Sequence, residues 1–85
     1  MPTVLRLAGF RILVLFPPRE HGPAHVHVVN ATGIVVINLA SSSAPQSVER
    51  VEGMSKADVR RIMRIVRDHA GLLLAEWRKI HGGTD

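Results

Sequence analysis

The sequence predicts an α+β fold, in which a four-stranded antiparallel meander is followed by a helical arm that packs on one face of the sheet. Residues 2–39 contain four short apolar runs rich in β-branched side chains and separated by turn-forming residues, as in consecutive strands. Residues 55–81 instead place apolar side chains three and four positions apart, as in an amphipathic helix. Since 85 residues can bury only one core, residues 1–85 are expected to form a single domain.

The first two strands are predicted to form a β-hairpin around Ala8-Gly9. A two-residue turn there would place Arg6 directly opposite Arg11. A proline-rich loop then ends the second strand, because proline cannot donate to the ladder. The last two strands are expected around residues 25–30 and 34–39. Residues 40–54 include a run rich in serine with neither strand nor helix periodicity, and they are predicted to be a linker.

The helical arm is expected to begin at Ser55, which can cap the first turn. Its apolar stripe predicts the surface that packs on the sheet, and comprises Val59, Ile62, Met63, Val66, Ala70, Leu73, Leu74 and Trp77. Gly71 is the expected position of a kink or break, so the arm is either one long helix or a helix pair. Ile65 and Leu72 fall outside the stripe and could contact a partner or a second copy, which leaves a homo-oligomer open.

Composition narrows the function classes. The chain has no cysteine, which excludes disulfides, a thiolate nucleophile and cysteine-based zinc sites. It shows neither a signal-peptide pattern nor an apolar run long enough to span a bilayer, so a cytoplasmic protein without a membrane partner is expected. The net charge of +4 favours anionic partners.

His25 and His27 are the first candidate site residues. On a strand, a spacing of two directs both imidazoles to one face, where they could divide general acid and general base roles. They could also bind a metal, with Glu20 or His21 as a third ligand, although zinc normally takes at least three protein ligands. No metal or cofactor is assigned. An ordinary structural interpretation, two half-exposed histidines hydrogen-bonded to the sheet surface or to water, stays open.

Arg6 and Arg11 are the second candidate pair. Two guanidinium groups opposite each other repel, so an anion between them would be stabilising. If the two histidines share that face, the four side chains would suit binding and cleavage of an RNA phosphodiester without a metal. The alternative is a pair of solvated arginines at a sheet edge.

The third candidate is a basic helix face, hereafter the basic face, which consists of Lys56, Arg60, Arg64 and Arg67. These side chains cover an arc of about 80° at 100° per residue, next to the apolar stripe. Such a face can bind nucleic acid or an acidic partner protein, or can simply be solvated.

Several motifs of the chain are characteristic of one family: residues 1–6, Gly9-Phe10-Arg11, residues 23–28, residues 66–69 and residues 73–77. In these motifs the chain resembles the family called domain of unknown function 4160. Members are small bacterial proteins often encoded beside a second small protein, in pairs proposed to be toxin–antitoxin modules. The resemblance therefore implies a small partner protein encoded nearby, but no particular activity. This chain departs from the family at residues 37–40, where members usually carry an aromatic residue and a proline.

These observations favour a binding module, one member of a toxin–antitoxin-like pair that binds a partner protein, nucleic acid or both. Two alternatives stay open. One is a metal-independent ribonuclease-like toxin that uses His25, His27, Arg6 and Arg11. The other is a metal-binding domain centred on the two histidines. Whether the chain is an enzyme is left undecided by the sequence.

Overall fold

A computed structural model describes residues 3–14 and 23–81 and confirms the α+β class. The elements in chain order are β1 (Thr3–Leu7), β2 (Phe10–Leu13), β3 (His25–Val29), β4 (Ile34–Asn38), β5 (Ser47–Glu52), α1 (Lys56–Asp68) and α2 (Ala70–His81). The strands form one antiparallel sheet in the order β1-β2-β3-β4-β5, so the meander is confirmed.

The prediction of four strands was wrong, because the described part of the chain contains a fifth. Strand β5 occupies the second half of the segment expected to be a linker and pairs with β4. All six of its residues are exposed. A strand at the edge of a sheet with little burial does not need an apolar face, so β5 lacks the alternating hydrophobic pattern by which strands are recognised.

The hairpin prediction was correct. Leu7 is paired with Phe10 and Arg6 with Arg11, across a turn at Ala8 and Gly9. Both turn residues have positive φ, 53° for Ala8 and 85° for Gly9. Positive φ at both central positions belongs to the type of two-residue turn whose twist matches that of the flanking strands.

The core lies between the sheet and the two helices. On the sheet, the buried residues Ile12, Val28 and Val35 form one row across β2, β3 and β4. On the helices, the buried members of the predicted stripe are Ile62, Val66, Leu73 and Trp77, each at most 1% exposed. All of them belong to one hydrophobic cluster, so the predicted docking of the arm on the sheet is confirmed.

The arm begins as predicted and breaks earlier than predicted. Ser55 caps α1 and its hydroxyl accepts a hydrogen bond from the backbone N–H of Asp58 at 3.1 Å. The arm is a helix pair that breaks at His69, whose φ is −116° and ψ 18°, whereas Gly71 lies inside α2. At the break, the backbone N–H of His69 still donates to the carbonyl oxygen of Ile65 at 3.1 Å, and Nδ1 of the His69 ring lies 2.9 Å from the same oxygen.

Leu72 is an exposed large apolar residue of α2. Its exposed fraction is 46%, whereas Ile65 is partly buried against the core cluster. The two residues therefore do not form a joint exposed surface. Within the described ranges, no helix is both long and apolar enough to cross a membrane.

Candidate functional site

The two histidines of β3 lie side by side on one face of the strand. His25 and His27 are partly buried, and their ring centroids are 5.5 Å apart at an interplanar angle of 64°. Val26 and Val28, between and after them, are buried in the core on the opposite face. The alternation of side chains along the strand thus places the imidazoles on one face and the core valines on the other, as the spacing predicted.

His25 is held in place by its neighbours. Its Nδ1 lies 2.9 Å from the carbonyl oxygen of Pro23, and since a carbonyl only accepts, Nδ1 is the protonated nitrogen in this contact. The ring of Trp77 approaches to a centroid distance of 4.9 Å. The sequence did not predict this contact, which brings α2 to the end of the sheet where β3 begins.

Trp77 also contacts a third imidazole, that of His81. His81 stacks on the indole with ring centroids 3.9 Å apart and an interplanar angle of 22°. His27, His25, Trp77 and His81 consequently form a row of four rings. The stacking of Trp77 and His81 follows from their spacing of four on one helix, which places them on the same side of α2.

Arg6 and Arg11 share a side of the sheet with the histidines. Arg11 is paired with Val29, which has the same parity along β3 as His25 and His27. Residues paired across antiparallel strands point to the same side, so all four candidate side chains do so. The register therefore meets the condition that the sequence left open, that the arginines and the histidines share one face of the sheet.

The register places the two pairs at different positions along the sheet. Along β3, His27 lies two residues and His25 four residues beyond the row that contains the arginines, or about 7 and 13 Å. The space around His27 is also apolar, because its paired residues are Leu13 and Val36, 2% and 4% exposed. This side of the sheet therefore combines polar and apolar residues, and the catalytic assignment of the four residues stays a prediction.

The metal-binding alternative stays a prediction. No group of three or more histidine, cysteine, aspartate or glutamate side chains there is arranged to hold a metal ion. Glu20 and His21, the third ligands considered from the sequence, lie outside the described residues.

The basic face lies on the exposed surface of α1. Lys56, Arg60, Arg64 and Arg67 are all exposed, whereas Ile62 and Val66 on the other side of the helix are fully buried. From Lys56 to Arg67 the face extends for about 16 Å at 1.5 Å per residue. It is a row of cations on a helix whose opposite side packs in the core.

The ion pairs of the described residues involve other cations. Arg61 pairs with Asp58 at 2.7 Å, Lys79 with Glu76 at 2.8 Å and Arg50 with Glu52 at 3.2 Å. No residue of the basic face forms an ion pair with any other described residue. Its charge is therefore directed to solvent.

A cavity of about 290 Å³ opens at the end of the sheet where β4 ends, beside the start of β3. Its polar lining comes from Asn38 and from serines of residues 41–47, and its apolar lining includes Leu39 and Leu74. No charged or titratable side chain of the described residues lines it. The sequence signalled this feature only as a serine-rich segment, with no indication that the segment encloses a space.

Comparison with known families gives one match. The family model described as a domain of unknown function (DUF4160) matches residues 9–78, most of the chain. The chain belongs to the DUF4160 family. The resemblance seen in the sequence is thereby confirmed, and the matched range extends from the β1–β2 turn into α2. No curated protein and no solved structure matches this DUF4160 chain.

Proposed function

We propose that this DUF4160 protein is a binding module, one member of a two-protein pair, which holds an acidic partner protein against the basic face of α1. The observation that carries the proposal is the contrast among its cations. The four of the basic face are exposed and unpaired within the described residues, while Arg50, Arg61 and Lys79 are each neutralised by a carboxylate. Exposed like charges in a row repel one another, so an acidic surface would be attracted there.

A protein partner is favoured over single-stranded nucleic acid. Binding of single strands relies on aromatic side chains on which bases stack. Aromatic residues are only 4% of the chain, and Phe10 and Trp77 are buried at 5% and 1% exposure. The family association with a second small protein agrees with this choice.

The test begins with purification of the tagged protein from its native host and identification of the protein that accompanies it. The affinity for that partner is then measured for the wild type and for Arg60→Gln/Arg64→Gln. We expect the double variant to bind about tenfold more weakly and with a shallower salt dependence, because two interfacial charges are removed.

A matched control removes two positive charges elsewhere on the helices. Arg61→Gln/Lys79→Gln has the same net charge as the test variant, but both of its side chains are exposed and lie outside the basic face. We expect it to bind like the wild type. Equal weakening in the two double variants would mean that overall charge, not the basic face, attracts the partner.

The metal-independent ribonuclease-like activity is the second candidate, favoured by one observation, the shared sheet side of His25, His27, Arg6 and Arg11. Its test is RNA cleavage in the presence of a chelator. His27→Ala is the more informative variant, because His25 also contacts the buried Trp77 and its loss would disturb the core. If cleavage is real, we expect His27→Ala to abolish it. Equal cleavage by wild type and variant would indicate a contaminating nuclease.

A further inference from the structure

Strand β5 offers an open edge for pairing. It is the last strand in the sheet order, and no described strand pairs with its outer side. Its six residues are all exposed, including Val48 at 39% and Val51 at 41%. A row of backbone N–H and C=O groups beside exposed valines is a template for another strand.

The sequence of β5 is complementary to itself when read in the opposite direction. Its centre is Val48-Glu49-Arg50-Val51. An antiparallel copy aligned about the Glu49–Arg50 bond places Val48 opposite Val51 of the second copy, and Glu49 opposite Arg50 of the second copy. The symmetry repeats both contacts, which gives two apolar pairs and two opposite-charge pairs, the cross-strand combinations that stabilise antiparallel sheets.

The faces of β5 agree with this alignment. Val48 and Val51 are paired with Ile37 and Val35, so both valines point to the side of the sheet that carries the core. Arg50 points to the other side, where it forms an ion pair with Glu52. Valine would therefore meet valine on the helix side, and arginine would meet glutamate on the other side.

The irregularity in β5 lies at the centre of this symmetry. The register of β4 and β5 shifts between Val36 and Ile37, which leaves Glu49 without a paired residue in β4. Such a bulge sets two adjacent residues of one strand against one of the other. Because it lies at the two-fold centre, both copies would bend at the same position and the alignment on either side would be kept.

The apolar side of β5 also leaves space for a side chain of a second copy. A hollow of about 470 Å³ lies between β5 and α1, lined by Val51, Met54 and Val59, with Lys56 and Arg60 at its margin. The core of one chain thus leaves Val51 partly open. Val48 of a second copy would cover it.

We propose that two copies of this chain associate through antiparallel pairing of their β5 strands, which joins the two five-stranded sheets into one continuous sheet. Because the two-fold axis is perpendicular to the sheet, both α1 helices lie on the same side. The dimer would present two basic faces in one direction. The alternative occupant, an extended acidic segment of another protein, lacks the reciprocal pairing of Glu49 with Arg50.

The experiment is a charge exchange at the centre of β5, read by sedimentation over a wide concentration range. We expect the wild type to form a dimer. Glu49→Arg places two arginines opposite each other at each contact, and Arg50→Glu places two glutamates there, so each should weaken self-association by about tenfold or more. An equimolar mixture of these two variants restores opposite charges and should form a heterodimer. The double variant Glu49→Arg/Arg50→Glu should self-associate like the wild type.

Two controls carry the same charge changes away from β5. Asp68→Arg matches Glu49→Arg, and Arg61→Glu matches Arg50→Glu. Both control variants should remain dimeric, and circular dichroism should show that all variants fold.

The proposal is overturned by a wild type that stays monomeric, by single reversals that leave the dimer unchanged, or by a mixture that does not associate. If the monomeric wild type instead binds a synthetic peptide of alternating valine and glutamate, the edge belongs to a foreign segment.

Discussion

At the scale of single residues, two glycines determine how closely β4 and β5 approach. A Cβ built on Gly33 would overlap the backbone carbonyl oxygen of Glu52, and one built on Gly53 would overlap that of Thr32. Gly53 also has a φ of +73°, which disfavours any other residue. The two glycines therefore let the start of β4 lie directly against the end of β5.

We expect Gly33→Ala to lower the free energy of unfolding by about 1–3 kcal/mol, because the methyl group meets backbone that cannot move aside without separating the strands. Gly71→Ala is the matched control. Nothing lies within 4 Å of the Cβ position of Gly71 inside α2, so alanine should raise the free energy of unfolding by about 0.5–1 kcal/mol. Chemical denaturation measures both. Equal effects of the two substitutions would contradict the close approach of β4 and β5.

Residues whose roles are local were predictable from the sequence. The turn at Ala8 and Gly9 and the cap at Ser55 depend only on a few adjacent positions, and both were confirmed. The contact of His25 with Trp77 was not predictable, because it joins residues far apart in the chain. It depends on the path of α2, which the break at His69 sets.

At the scale of elements, whether a strand or helix was predicted correctly from the sequence depends on how much of it is buried. Strands β3 and β4 and both helices carry strong apolar patterns because the core covers one side of each, and these patterns predicted them correctly. Strand β5 has no such cover, so its residues resemble a polar linker. The helix break was misplaced for a different reason. Glycine alone costs about 1 kcal/mol in a helix, which tertiary packing can offset, so Gly71 was a weak signal for a break.

The candidate site was only partly predictable, because some of its features depend on pairing between different strands. The exposure of the basic face followed from the helical spacing of its residues next to the stripe. Whether the arginines and the histidines share a side of the sheet depends on the register between β2 and β3. The sequence does not indicate that register, because a long loop joins the two strands. The apolar residues beside His27, Leu13 and Val36, come from two other strands, so no local pattern indicated them.

At the scale of the whole molecule, the sheet and the arm share one core. Ile62 and Val66 of α1, and Leu73 and Trp77 of α2, belong to the same buried cluster as the valines and isoleucines of the sheet. Neither part has a second cluster of comparable extent among the described residues. A four- or five-stranded sheet with one open apolar face, or an isolated helix pair, would bury too little to be stable alone.

We therefore expect the chain to unfold in a single cooperative transition. Trp77 is the only tryptophan and lies 1% exposed where α2 meets the sheet, so its fluorescence reports the docking of the arm, while far-ultraviolet circular dichroism reports the helices and strands themselves. If the arm and the sheet depend on each other, the two signals should change at the same urea concentration. The measurement should be made at several protein concentrations, because a dimer would shift both midpoints together. A fluorescence change that precedes the loss of circular dichroism at every concentration would show instead that the arm leaves a sheet which stays folded, and that the chain has two units of stability.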